Sequence, residues 1–275
     1  MKVNIILITY NHSAYIRQAL NGLIIQMTNH DVEVIVADDA STDNTLDIIR
    51  EYAEKLVFPF TFLSQEENIG YNKNYERAIK ACNGDYIAVL EGDDYWIDPL
   101  RIEKHIDFLD KHRNCSMSFN RIVFFFQDQE RYKVNDWKSD QDFISYSVHE
   151  QIRGNKIGNL SACVFRKSEM DKIKPGLFDM QVADWMLGIV LGQYGSIAEL
   201  KDPMSVYRIH GKGLWSRQDE REQIQCIIDS ISEYNKYLDY AFNEDFIQYK
   251  NYLERSLKGK NKKRITHFIK FLIPS

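Results

Sequence analysis

The chain has 275 residues, of which 44% are hydrophobic and 27% charged, with 13 Gly and 5 Pro. That composition excludes disorder, collagen-like repeats and low complexity, and the length permits one large domain or two small ones. Of the formal net charge of −5, residues 258–275 contribute six cations and no acid, leaving −11 on an acidic body that would repel nucleic acid.

The N-terminal run MKVNIILITYN is too short for a signal-peptide core or a membrane span and reads as a first strand, VNIILI over 3–8. Further strands are predicted at 32–37 (VEVIVA), 58–63 (FPFTFL) and 86–90 (YIAVL), rich in β-branched and aromatic residues and without polar alternation. Such runs suit parallel strands covered on both faces. Three helix-period stretches separate them. Ile16, Leu20, Leu23 and Ile24 follow a cap candidate at Ser13; Leu46, Ile49, Ala53 and Leu56 follow Ser41 and Asp43; Tyr75, Ala78, Ile79 and Cys82 stop at Asn83 and Gly84. The alternation predicts an α/β fold with a doubly wound, mostly parallel sheet, whose ligands belong at the carboxyl ends of the strands.

The middle is more mixed, with strands expected near 116–126, 161–166, 196–200 and 204–209 and a helix over about 182–193. No linker-like stretch divides it from the first part, so 1–216 is read as one domain with a nucleotide-binding half, 1–114, and an acceptor half, 115–216. Residues 217–257 form a helical appendage with Ile224, Ile227, Ile228, Ile231, Tyr234 and Leu238 on one face, and 258–275 form a basic tail. In that tail Ile265, Phe268, Ile269 and Leu272 make an apolar stripe beside Lys263, Arg264, His267 and Lys270. The stripe fits peripheral contact with an anionic membrane surface, or a helix docked on protein. Cys82, Cys115, Cys163 and Cys226 lie far apart in sequence, without a CxxC pair or zinc-type spacing, and are expected as reduced thiols in a cytoplasmic protein.

Strand two runs into VADDASTD and strand four into EGDDYW, so Asp38, Asp39, Asp43, Glu91, Asp93 and Asp94 gather at one sheet edge. Clustered carboxylates repel unless each has a partner or a cation lies between them, and a hard divalent metal is the natural candidate at the second cluster. Aspartates that cap helices and solvate loops are the plainer alternative. There is no GxxxxGK[ST] loop and no GxGxxG after strand one, so a bound nucleotide would need a metal to carry its phosphates.

The segments ITYN, VADDASTD, ENIGYNKN, EGDDYW, ADW (183–185) and YRIH (207–210) occur in the order found in family 2 glycosyltransferases of the GT-A fold, which 1–216 resembles. The resemblance implies an inverting enzyme that takes a sugar from a nucleotide diphosphate, a UDP-sugar above all, to a saccharide or lipid-linked acceptor, with Mn2+ or Mg2+ as cofactor. It places Tyr10, Asn11, Asp38, Asp39, Asn68, Gly70, Asn74 and Glu91 around the nucleotide. It puts Asp93, Asp94 and His210 at the metal, Asp184 as general base, and Lys212 on a lid over the diphosphate. Two positions depart from the usual pattern: Glu91 stands where Asp is common, and Ala40 where Gly is. Read without the resemblance, Asp184 is more readily a helix N-cap and His210 is as readily an ordinary histidine as a ligand, while of Trp96, Trp185 and Trp215, which could stack on sugars, at least two are expected in the core. The expected setting is surface polysaccharide assembly at the inner face of a bacterial membrane. The rival functions are a nucleotidyltransferase, or a catalytically silent module that binds nucleotide sugars or membranes.

Overall fold

A computed structural model describes residues 1–181, 184–211 and 218–258. The first part runs β1 (Lys2–Thr9), α1 (Ile16–Ile24), β2 (Asp31–Asp38), α2 (Thr45–Ala53), β3 (Phe60–Phe62), α3 (Tyr71–Ala81), β4 (Tyr86–Glu91), β5 (Tyr95–Trp96) and α4 (Arg101–Lys111). It continues with β6 (Cys115–Phe126), β7 (Arg131–Val134), β8 (Phe143–Tyr146), α5 (Val148–Ile152), β9 (Cys163–Arg166) and α6 (Lys167–Met170). The last elements are α7 (Asp184–Gly192), β10 (Ser196–Ile209), α8 (Glu220–Tyr237) and α9 (Asn243–Lys258).

All ten strands join one sheet, in the order β3-β2-β1-β4-β9-β6-β10-β5, with β7 on β6 and β8 on β10. The β3-β2-β1-β4 half is parallel; β1, β2 and β4 are buried as their apolar runs predict, whereas the strand expected at 58–63 is only Phe60–Phe62, largely exposed because it is the sheet's edge. From β9 onward the sheet is mixed, with β9 antiparallel to both β4 and β6 while β10 runs parallel to β6. Alternate residues of β1 enter different cores. Ile6 and Ile8 face a cluster with α3, α5, α7, α8 and α9, whereas Val3, Ile5 and Leu7 face one with α1, α2 and α4. Burial on both faces makes this a three-layer α/β architecture and points every loop after a parallel strand to the same edge.

Several expected boundaries move for identifiable reasons. Strands expected at 196–200 and 204–209 form one strand, β10, whose register with β6 shifts around Pro203, a residue with no N–H for the ladder. Helix α1 begins at Ile16, without a side-chain cap from Ser13, because Ser13 N donates to Asp43 Oδ2 at 3.1 Å instead. Asp43 Oδ1 also takes Thr45 N at 3.0 Å, and these bonds outweigh burial and lower its pKa to about 2. The appendage is two helices, broken where Asp239 and Tyr240 adopt left-handed backbone. The four cysteines are unpaired thiols, and no helix among the described residues is long and apolar enough to cross a membrane. The expected amphipathic tail beyond Lys258 lies outside the described residues.

Candidate active site

The site begins where β1 and β2 end side by side. Asn11, at φ 55°, donates its backbone N–H to Ser41 Oγ at 2.8 Å and accepts Thr42 N–H through Oδ1 at 2.7 Å. Asp38 accepts both the N–H and the hydroxyl of Ser41, tightening the turn in which Ala40 stands at φ 58°. A left-handed alanine costs roughly 1 kcal/mol, which explains why glycine is common there. Tyr10 stays 43% exposed at the lip, with its ring open to a flat ligand.

Asp39 reaches across to the loop before α3. Its two oxygens accept Ile69 N and Gly70 N, each at 2.9 Å, while Asn68 Nδ2 donates to Asp39 O at 3.2 Å. Gly70 takes φ 85°, ψ 157°, backbone essentially restricted to glycine. Gly70→Ala is therefore expected to cost about 1–3 kcal/mol of stability and to weaken nucleotide binding; thermal unfolding and nucleotide titration check both. Asn74, expected at the nucleotide, is 2% exposed and has both ends engaged, donating to Ala37 O at 2.8 Å and accepting from Arg77 Nε at 2.7 Å. It ties α3 to the end of β2.

At the end of β4 the three acids diverge. Glu91 Oε1 accepts the hydroxyls of Tyr71 and Tyr75, both at 3.1 Å, so its extra methylene is met by two phenols on α3. Burial, then the charges of Asp94 and Asp93, push its pKa well up. Asp94, expected beside Asp93 at the metal, is 1% exposed. Its Oδ2 accepts Asn159 Nδ2 at 2.8 Å and Ser161 Oγ at 2.7 Å, and its Oδ1 accepts Arg208 N at 2.9 Å. Burial and Asp93 raise its pKa to about 7. Ser161 is anchored in turn, because its carbonyl takes Trp96 Nε1 at 2.9 Å and the buried Arg101 guanidinium at 3.0 Å. Arg101 makes no ion pair among the described residues; it lies 4.0 Å over Trp96, and burial, only partly countered by the charge of Asp98, brings its pKa down to about 9.

Asp93 alone of the three turns toward the imidazoles, with Oδ2 3.1 Å from His210 Nε2 and 3.8 Å from His12 Nε2. Burial would raise its pKa, but the hydrogen bond with His210 and the nearby imidazoles outweigh that and lower it. The His210 ring packs against that of Tyr15, 4.7 Å between centroids and tilted by 50°. Gly92 is needed for this closeness, since a Cβ there would lie 2.8 Å from both His12 Nδ1 and Thr9 Oγ1. Those two atoms are buried and have no hydrogen-bond partner among the described residues. An oxyanion, imidazole nitrogens and an unsatisfied hydroxyl make a donor set that fits a divalent cation. Among the described residues no group of three His, Cys, Asp or Glu side chains is closed enough to hold a metal alone, so substrate oxygens would have to complete its shell.

Asp184 opens α7. Its Oδ2 accepts Asn155 Nδ2 at 2.7 Å, its Oδ1 takes Trp185 N at 3.0 Å, and burial raises its pKa despite those bonds. Trp185 is core, donating Nε1 to Gln151 O at 2.7 Å and packed between Tyr234 of α8 and Tyr249 of α9. Trp96 is core as well. Burial, then the charges of Asp94, Asp93, Glu91 and Asp184, push the pKa of the Tyr207 phenol well up. Lys212 and Trp215 lie outside the described residues. Tyr71, Tyr75, Asn155, Asn159, Ser161, Arg208 and His12 emerge only here; Arg208 stood inside the YRIH segment, while the polar residues at 155–161 carried no sequence signal.

The chain is similar to several known proteins. The family model "Glycosyl transferase family 2" matches residues 4–167. An uncharacterized protein of Mycobacterium tuberculosis is 36% identical over 216 residues, which are 78% of this chain and 60% of that protein. This chain thus spans about 60% of that relative's length. Among solved structures, Staphylococcus aureus TarS 1–349 in complex with UDP-GlcNAc aligns with TM-score 0.60 at 21% identity, covering 99% of this chain and 82% of that one. The mannosyltransferase PcManGT from Pyrobaculum calidifontis, in complex with GDP-Man and Mn2+, aligns with TM-score 0.61 at 15% identity, covering 97% and 78%. Both likenesses show the GT-A fold, and with the matched segment covering more than half of its length, the chain belongs to glycosyl transferase family 2.

Proposed function

We propose that this chain is an inverting glycosyltransferase that moves a sugar from a nucleotide diphosphate donor, a UDP-sugar, to a hydroxyl of a saccharide or lipid-linked acceptor. The observation that carries the reading is the Asp93–His210 contact together with Asp184, half-buried at the start of α7 and raised in pKa by desolvation. In-line displacement at an anomeric carbon needs a cation on the leaving-group side and a base on the other. Tyr10 and the turn at Asp38 and Asp39 are placed for the base and ribose, with Asn11, Asn68 and Gly70 shaping that pocket through their backbone and side-chain bonds. Glu91, held by Tyr71 and Tyr75, faces the ribose and sugar.

Asp93 and His210, with His12 beside them, would hold Mn2+ or Mg2+, which when bound supplies positive charge to the departing diphosphate oxygens. In our reading Asp94 is not a ligand but the anchor that keeps Asp93 and β10 in register. Asp184 accepts the acceptor hydroxyl's proton as the new C–O bond forms and the bond from the anomeric carbon to the diphosphate oxygen breaks. Its raised pKa makes it a stronger base than an exposed carboxylate, and Asn155 fixes its direction. Water must be kept from the same carbon, a role for which the segment containing Lys212 is placed by sequence, directly after His210.

The setting we favour is bacterial surface polysaccharide assembly at the inner membrane face. TarS, a neighbour in fold, is named a poly(ribitol-phosphate) beta-N-acetylglucosaminyltransferase, and the basic, amphipathic pattern of 258–275 suits an anionic lipid surface. A panel of UDP- and GDP-sugars with Mn2+ tests the reading by thermal shift and by nucleotide release. UDP release with an acceptor, and loss of most of the UDP-dependent shift in EDTA, are expected. Pyrophosphate release from UTP would instead indicate nucleotidyl transfer.

A further inference from the structure

We propose that Arg208 is a positioning residue: its side chain holds Asp93 and His210 in place for the divalent cation, so that losing it weakens the hold on Mn2+ more than it weakens the fold. This rests on the donor and metal reading above and adds to it what keeps those two side chains together. Asp93 follows β4 and His210 follows β10, and Arg208 lies between them. Its backbone N–H donates to Asp94 Oδ1 at 2.9 Å and its Nε to Asp93 O at 2.8 Å, so one residue ties β10 to both aspartates of the loop. It reaches His210 by a second route. The guanidinium carbon lies 4.9 Å from the Tyr15 ring centroid, the Tyr15 ring packs at 4.7 Å against His210, and the Tyr15 hydroxyl is 3.4 Å from His210 Nδ1.

The guanidinium is enclosed on every side. Arg208 is 4% exposed, and two further rings, Phe125 and Tyr95, stand 5.3 and 5.4 Å from it. Nη1 donates to Gln127 Oε1 and Nη2 to Gln18 Oε1, both at 2.5 Å, so α1, the Asp93 loop and the segment after β6 meet on one planar group. Among the described residues its hydrogen-bond acceptors are a carbonyl and two amide oxygens, with no carboxylate on the guanidinium. A cation buried without a counter-charge is costly, and an apolar side chain would fill the same space at less cost, so stability alone does not account for it. What arginine adds is a rigid fork that fixes several directions at once, which lysine cannot copy. Partners behind metal-binding side chains act in this way, setting the orientation of the ligands before the ion arrives.

The test is calorimetric titration of UDP, over a series of Mn2+ concentrations, into wild type, Arg208→Lys and the double variant Gln18→Ala/Gln127→Ala. Lysine keeps the charge but not the fork. The double variant removes only the two outer acceptors, from an exposed and a half-buried residue, and leaves Arg208 itself in place. The Mn2+ concentration that gives half-maximal UDP binding should rise about tenfold in Arg208→Lys and about threefold in the double variant. Uridine, which carries no phosphate, should bind all three proteins alike, and saturating Mn2+ should return kcat to within about threefold of wild type. A role confined to the fold would instead lower the thermal midpoint, weaken uridine as much as UDP and leave the Mn2+ half-saturation unchanged. That result would overturn the assignment of Arg208 while the donor reading stands. Should Arg208→Lys fail to fold, the double variant decides by the same measure: a raised half-saturation supports the assignment and an unchanged one overturns it. If the wild type binds no UDP, or binds it equally well without Mn2+, the donor and metal reading fails and the inference fails with it.

Discussion

Asp184→Asn is expected to lower kcat by about 10²–10⁴-fold while leaving donor affinity within a factor of two or so, because general-base catalysis contributes on that scale and donor binding does not involve this carboxylate. Asparagine preserves the acceptor oxygen for Asn155 but cannot take a proton. The pH profile carries the same information. Burial raises the Asp184 pKa above 3.8, so the acid limb of kcat should fall above that value in wild type and disappear from the mutant's residual rate. The sign for stability runs the other way from that of an ordinary ion-paired aspartate. Burial favours the protonated form in the folded state, so ionised Asp184 opposes folding above its native pKa, and that cost vanishes as pH falls below the unfolded value of 3.8. The mutant's amide nitrogen would meet a donor, Trp185 N, which offsets the removed ionisation cost at pH 7, so its stability relative to wild type should fall on acidification as that cost vanishes from wild type. Transfer within tenfold of wild type would remove Asp184 from the base role.

Asp93→Asn should abolish the Mn2+-dependent part of UDP binding and reduce transfer by about 10²-fold or more, since charge stabilisation of a leaving group by a cation is worth several kcal/mol. Folding should survive. Asp93 is only half-buried, its amide analogue can still meet His210, and one source of repulsion against Asp94 and Glu91 is removed. The contrasting variant is informative: Asp94→Asn should damage stability more than Asp93→Asn does, because an amide nitrogen would face Asn159, Ser161 or Arg208 N, groups now arranged as donors. Thermal unfolding with and without UDP and Mn2+ separates the two. Equal loss of metal response in a well-folded Asp94→Asn would restore Asp94 as a ligand.

Much of the architecture was legible in the chain itself. The apolar runs in β1, β2 and β4 are buried on both faces, and in a parallel sheet that burial leaves a one-dimensional signature with no need of partners. The acids followed from the same logic, because loops after parallel strands share an edge whatever the details, so Asp39, Glu91 and Asp93 were placed near one another by topology alone. The order of motifs then connected Asp184 and His210 to that edge.

Which partners each carboxylate meets is decided only by tertiary packing. Asp93 and Asp94 are adjacent and chemically identical, yet one meets His210 and the other sinks onto Asn159, Ser161 and Arg208, from segments more than 60 residues away. Hydrogen-bond partners that distant leave no local pattern. Glu91 is accommodated because Tyr71 and Tyr75 sit one helical turn apart on α3 and converge on a single oxygen, a match visible only once α3 lies over β4. The break between α8 and α9 was hidden for a related reason: Asp239 and Tyr240 are neither Gly nor Pro, and their left-handed backbone persists because Phe246, Tyr249 and Leu253 must fold back onto the core. Local composition thus determined the layers and the edge where chemistry gathers, whereas the direction of each side chain at that edge depended on desolvation and hydrogen bonding between parts of the chain that meet only in the folded state.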